Sequence, residues 1–409
     1  MKKFSAVLLV LALVGGALFA SFTGSAGVTF GVNLDDETYG FGNPTLLEAD
    51  VTFQERLVDK AGEGDIYAEI QAELALSFAL GDEEANPFEG EADGFVANVE
   101  ITSAKIIGDN WYVGILGALG APNFAKTAIE LNADTGASLL NLMADGMTAP
   151  GVEVGFAGYS FGLGIDGKYK EGEETYKVLV AARTPEYEIA DGVTAKAGAA
   201  VFLNDGDFKG AVSLAGGFAK DDLDISLATD LLMDKTGAAD LKFDAEVALA
   251  ATYDFLTADV YFATKAMAAA DQTAPPSYVD PNILSVKLGA VIEGFNITVK
   301  GLDLVNQQDL SASVSYAIND AFTVAVRGGY NIKNEEWKAG AGVEYTHDMF
   351  TASLDADLNG TDEVKGLELG ATIKSTTLVD GAILSLGYAN ANILADKKGA
   401  ITAKAVIEF

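Results

Sequence analysis

The chain has 409 residues, 49% of them hydrophobic, and no cysteine, which excludes disulfides, thiolate metal sites and a lipidated cysteine anchor. Its formal charge is −34, from 26 Lys and Arg against 60 Asp and Glu, so a polyanion such as nucleic acid is excluded as a partner while cations and basic partners fit. Mean hydropathy of +0.22 is too apolar for disorder; beyond the N-terminus, however, no uninterrupted apolar run approaches the roughly 20 residues of a membrane helix.

The first 20 residues, MKKFSAVLLVLALVGGALFA, have the layout of a secretory signal peptide: Lys2 and Lys3, an apolar stretch at 6–14, then small residues up to Ala20, with cleavage expected there and a second site after Ala26. The remainder, 21–409, is read as one all-β unit, with 21–150 and 151–409 as its two regions. The acidic run GDEEANPFEGEADG (81–94) reads as a solvated loop, the sharper alternative being a divalent-ion bridge to lipid or to a second protomer. In the long link 125–149, Leu139, Leu140, Leu142 and Met143 among strong helix formers predict a short amphipathic helix that either folds into a pore as a constriction or caps it. The link 266–282, with Pro275, Pro276 and Pro281, predicts a non-helical loop.

Further along, the chain alternates with a period of two. Leu310, Ala312, Val314, Tyr316 and Ile318 share one face, with Ser311, Ser313 and Ser315 opposite; after a turn at Asn319-Asp320, Phe322, Val324 and Val326 resume the apolar face and Thr323 and Arg327 the polar one. Trp337 to Tyr345 and Phe350 to Leu358 repeat the hairpin across His347-Asp348. The last segment, ITAKAVIEF, puts Ile401, Ala403, Ala405, Ile407 and Phe409 on one face. A soluble sandwich also alternates, so the aromatic positions discriminate: Tyr253 with Phe255, Tyr316 with Phe322 and Tyr345 with Phe350 flank turns, as in the aromatic girdle of a transmembrane barrel.

Connections alternate too. Tight turns around Ala157-Gly158, Asp191-Gly192, Lys220-Asp221, Phe255-Leu256, Glu293-Gly294, Asn319-Asp320, His347-Asp348 and Asp380-Gly381 are interleaved with long or polar links such as EGEE, NDGD and DKTGAAD. This rhythm predicts an all-β, antiparallel transmembrane β-barrel of about 22 strands, with short turns on the periplasmic side and longer loops outside.

No catalytic, cofactor or metal site assembles from the sequence. His347 is the only histidine and reads as a turn residue beside Asp348. DADLNG from Asp355 begins like a calcium loop, but its twelfth position is Gly366 rather than a bidentate glutamate. The simpler reading makes Asp355 and Asp357 successive pore-facing residues, with Asn359-Gly360 as a hairpin turn. The polar strand faces carry Lys196, Asp224, Asp230, Asp244, Glu246, Lys287, Arg327, Lys338, Glu344, Asp355, Asp357, Glu368, Lys374 and Lys404. Placing that many ionisable groups in a dry core costs several kcal/mol each unless they are paired, so the pattern predicts that they line a water-filled pore.

The N-terminal third, VTFGVNLDDETYGFGNPTLLEADVTF, then GDIYAEIQAELALSF, then FVANVEITSAKIIGDNWYVGILGALGAPNFAK, resembles the N-terminal region of the spirochaetal major outer sheath protein and Tpr-type family over residues 27–126. The resemblance implies an outer-membrane protein with porin activity and, in some members, adhesion to host matrix proteins; it brings no catalytic residues.

The function expected is therefore passive diffusion of small hydrophilic solutes or ions across a bacterial outer membrane, with a weak cation preference and no enzymatic activity. A surface adhesin or structural sheath protein anchored by its barrel is the alternative. The partners expected are outer-membrane lipid, the barrel assembly machinery and the solutes, with a homo-oligomer and a host matrix protein left open. Phe409, a terminal aromatic residue, is the expected assembly signal. Deleting residues 401–409 should leave the protein periplasmic and degraded, as read by cell fractionation; normal outer-membrane abundance of the truncation would remove Phe409 from that role.

Overall fold

The computed structural model describes residues 25–41, 46–51, 54–55, 66–79, 95–129, 147–168, 175–235, 240–264, 266–267, 278–279 and 282–408. The expectations for the signal peptide, the acidic loop 81–94, the leucine cluster at 139–143, the three loop prolines and Phe409 fall outside those residues. Among the described residues the fold is all-β apart from one 3-10 turn, Ile393–Ala395. Twenty-five strands form one sheet, and Ala266–Met267 with Tyr278–Val279 form a separate two-stranded ribbon. Thr38–Phe41, Leu46–Val51 and Gln54–Glu55 share one position in the large sheet, between Ser25–Asn33 and Tyr67–Ala79, and Thr175–Arg183 and Tyr187–Ala190 share another. The strands thus occupy 22 positions.

The chain divides into two units by contact, residues 110–343 with 355–367, and residues 1–109 with 344–354 and 368–409. The first unit is a meander in which successive strand positions of the large sheet, from Trp111–Gly120 to Phe322–Asn331, pair antiparallel. Two-residue turns make this possible. Ala157-Gly158, Asp205-Gly206 and Glu293-Gly294 all take positive φ at both central positions, the geometry whose twist matches that of the flanking strands.

Several turns lie elsewhere than the sequence pattern implied. Asp221 and Asp254 adopt the left-handed conformation, which aspartate tolerates; the turns are therefore Asp221-Asp222 and Asp254-Phe255, each displaced by one residue. Asn359-Gly360 is not a turn. The strand Phe350–Gly360 runs through both residues, and the chain reverses at 361–363, where Trp337 Nε1 donates to the Thr361 carbonyl at 2.6 Å and fixes the reversal.

In the second unit the strand Ser25–Asn33 pairs with Ala400–Glu408 over nine residues, from Ser25 opposite Glu408 to Asn33 opposite Ala400. Ser25–Asn33 also pairs with Thr38–Phe41, and Ala400–Glu408 with Ala382–Asn390. The first described strand thus pairs antiparallel with the last, the connectivity of an up-and-down antiparallel barrel, and the two cover each other's edges along that pairing. Asp35 fastens this junction: its carboxylate accepts the N–H groups of Lys398 at 2.6 Å and Gly399 at 3.2 Å. Those backbone donors, Lys398 first, hold the Asp35 carboxyl below its ordinary range.

Side chains in the first unit alternate in the opposite sense to a soluble protein. Along 151–165, Glu153, Gly155, Ser160, Gly162 and Gly164 are buried, whereas Val152, Val154, Phe156, Phe161, Leu163 and Ile165 are exposed. Phe161 is 63% exposed and Ile165 60%. Each such residue would forgo about 1.5–3 kcal/mol of burial in water, and a contiguous apolar surface of this kind marks contact with another apolar phase.

Val324 and Thr323 test the two faces. Val324 shares the exposed face with Phe322 and Val326, whereas Thr323 is half-buried beside Ala325 and Arg327. Val324→Lys is expected to cost about 2–4 kcal/mol of folding free energy near the bilayer midplane and Thr323→Lys much less, measured by urea titration in lipid vesicles; equal costs would overturn the facing.

Candidate functional site: an internal strap and its charge network

Residues 121–129, which leave the end of Trp111–Gly120, adopt no regular secondary structure and lie against the covered face of the neighbouring strands. They are held by side chains that the strands supply. The carboxylate of Asp230, fully buried, accepts the N–H of Ala125 at 2.9 Å and that of Phe124 at 3.1 Å. Ser213 Oγ donates to the Pro122 carbonyl at 2.8 Å, and Arg183 Nη2 to the Gly120 carbonyl at 2.8 Å. Gly198 lets the strap approach, since a Cβ there would lie 2.6 Å from Pro122 Cβ.

Apolar contacts complete the attachment. Ile129 and Ala125 are buried with Tyr261, Ala263 and Ile283. Closer to Gly120, Leu119 and Met147 pack on Leu179, Phe202 and Leu232. These last three belong to the covered face, so this part of it is dry. Strands with apolar surroundings on both faces lose their alternation and read as continuous apolar runs, and VLVAA at 178–182 is such a run, with Leu179 and Ala181 buried on the covered face and Val180 exposed on the apolar one. That signal in the sequence marks where the strap lies, although nothing in it identifies the covering segment.

Several charged side chains on the covered face meet either an ion-pair partner or a neutral hydrogen-bond donor. Glu153 receives Arg183 Nη1 at 3.0 Å and the Tyr112 hydroxyl at 2.6 Å. Lys196 lies 3.6 Å from Glu186 and 5.2 Å from the centre of the Phe124 ring. Glu246, fully buried, accepts from the Tyr261 hydroxyl, and Asp244 from Thr264 Oγ1 at 2.9 Å. Asp230, Asp244 and Glu246 thus share the expected face and are buried there.

Arg327 binds two carboxylates at once. Its Nε donates to Asp357 Oδ1 at 2.7 Å and its Nη1 to Asp355 Oδ1 at 2.9 Å, with Nη2 on the second oxygen of Asp357. The guanidinium reaches these carboxylates across Gly340 and Gly342, where any Cβ would run into Asp357 and Asp355. Lys338 and Lys300 line a groove of about 280 Å³ beside this cluster, together with Ser311, Ser313 and Arg327. Lys287 pairs in register with Lys300 on one side and Asp259 on the other.

The remaining expected residues are spread more widely. Asp224 is exposed at the mouth of a cavity of about 450 Å³ beneath the strap. In the second unit Glu344, Glu368, Lys374 and Lys404 are all exposed, with Lys374 and Lys404 each opposite Ser385 in register. Glu153, Arg183, Tyr112 and the strap residues had no distinguishing spacing in the sequence, because their partners lie 30 to 106 positions away.

No family model and no curated protein matches the chain. Among solved structures, a triple mutant of Rhodopseudomonas blastica porin aligns with 61% of this chain and 98% of its own, at 12% identity and a TM-score of 0.35. The P pilus usher (PapC) translocation pore aligns with 95% of this chain and 98% of its own, at 11% identity and a TM-score of 0.41. Both likenesses are distant, and the fold assignment rests on the strand pairing above.

The strap's attachment is testable without reference to activity. Asp230→Ala removes two hydrogen bonds to a charged acceptor, each worth about 1.5–3 kcal/mol. Amide exchange at Phe124 and Ala125 should therefore accelerate at least about tenfold, since 1.4 kcal/mol corresponds to a factor of ten. Unchanged exchange at both amides would show that Asp230 does not hold the strap.

Proposed function

We propose that the protein is an outer-membrane porin through which small hydrophilic solutes and ions diffuse passively. One observation carries this reading: the sheet exposes large apolar side chains on one face and gathers hydrogen-bonded charges and small residues on the other. A bilayer covers the first face and an aqueous lumen suits the second. The strap at 121–129 lies on the lumen face and narrows the passage there, and the barrel assembly machinery would insert the folded chain. The likeness of residues 27–126 to the spirochaetal outer sheath family supports the same class.

A weak cation preference follows from the charge balance. Arg327 neutralises one of the two carboxylates it binds, Arg183 neutralises Glu153, and Asp230 faces backbone donors, so the wall itself is nearly balanced. The excess behind the formal −34 then acts mainly at the entrances, where salt screens it within about 8 Å at physiological ionic strength.

Purified protein in a planar bilayer should open ion-sized current steps, with a reversal potential of cation-preferring sign across a dilute KCl gradient that fades in molar salt. Arg327→Gln leaves Asp355 and Asp357 without their cation, so its preference should be stronger and persist at higher salt. Absence of steps would overturn the porin reading, and an anion-preferring sign would overturn the charge argument.

A further inference from the structure

Beneath the strap lies a cavity of about 450 Å³, within the 300–1,000 Å³ range of small-molecule sites. Its floor is made by facing residues of three adjacent strands. Ala215, Ala228 and Ala248 stand opposite one another in one row, and Gly217, Ser226 and Ala250 in the next. None of these six residues is larger than serine, so the wall is recessed here, while Thr194 and Lys196 of the next strand and Phe124 and Lys126 of the strap border the space.

Four charged side chains line this cavity. Lys196 and Glu186 satisfy each other at 3.6 Å. Lys126 and Asp224 are different: both are exposed and, among the described residues, neither side chain has an ion-pair or hydrogen-bond partner. They belong to separate elements. Lys126 follows the two strap residues that Asp230 holds, whereas Asp224 lies on the wall, one row beyond Ser226 and four residues from Ala228.

We propose that this cavity is a binding site for short zwitterionic peptides, with the peptide carboxylate on Lys126 and its ammonium on Asp224. Lys126 and Asp224 line the same cavity from different elements, so a short molecule with opposite charges at its two ends can meet both, and the alanine and glycine rows accept small side chains without steric selection. A solute with one charge satisfies one of the two groups, and a neutral solute satisfies neither. The proposal rests on the porin reading for its biological meaning, since it names the class of solute that the lumen would favour.

Calorimetric titration of the folded, detergent-solubilised protein with trialanine tests the site directly. Wild-type protein should bind it, Lys126→Gln and Asp224→Asn should each weaken binding by about tenfold or more through loss of a charge-assisted hydrogen bond, and the exchanged pair Lys126→Glu with Asp224→Lys should recover it. The same peptide acetylated and amidated should bind no better to wild-type protein than to the variants. Retention of folded migration on unheated gels confirms that each variant is intact. No binding to wild-type protein, equal binding by the single variants, or equal binding of the blocked peptide would overturn the proposal. Current steps in KCl report on the porin reading separately: conduction without trialanine binding removes the site and keeps the porin, while binding without conduction keeps the site and removes the porin.

Discussion

Backbone hydrogen bonding in an apolar medium is the constraint on which the rest of this structure depends. A chain whose exposed face carries Phe161, Leu163 and Ile165 cannot satisfy its peptide groups with solvent on that side, so every strand must satisfy them with another strand. Antiparallel neighbours do this along the meander. Ser25–Asn33 and Ala400–Glu408 do it for each other, and the hydrogen bonds from the 398–399 backbone to Asp35 lie beside that pairing.

That constraint relegates the ionisable groups to one face, where they meet a second one: a charge removed from bulk water must be paired or hydrogen-bonded. The structure meets this in two ways. Near the strap, carboxylates are consumed by fixed partners: Asp230 by backbone N–H groups, Glu153 by Arg183 and Tyr112. At the Arg327 cluster the charges remain partly exposed, and a single guanidinium bridges two carboxylates over a glycine-lined strand. The first arrangement holds a segment in place. The second leaves charge partly exposed.

The strap also explains why an apolar cluster exists on a face that is otherwise small or polar. Leu179, Phe202 and Leu232 lie on the same side of their strands as Arg183, Lys196 and Asp230, and are dry because Leu119 and Met147 cover them. Covering only part of the wall leaves the recess beneath Phe124 open, bordered by Lys126 and Asp224, whose charges have no partner among the described residues.

What the sequence determined by itself is local and periodic. The alternation in Phe322–Asn331 and Ala400–Glu408 fixes strand and face together because the side-chain period is two, and dipeptides such as Glu293-Gly294 fix turns because few residues accept positive φ. Hence the antiparallel class, the strand number and the facing of Val324 against Thr323 were all legible. Where turn geometry was settled by a distant group, as when Trp337 holds Thr361, the sequence placed the turn at Asn359-Gly360 instead. The site was less legible still. The polar face of Asp230, Glu246 and Arg327 followed from alternation, but their environments did not: that Asp230 caps the strap, that Glu246 is buried under Tyr261 and that Arg327 reaches Asp355 and Asp357 depend on contacts 15 to 106 residues apart. Period-two patterning carries no information about which strand lies opposite or which link folds back onto the wall; only the tertiary structure, by bringing those groups within hydrogen-bonding distance, decided it.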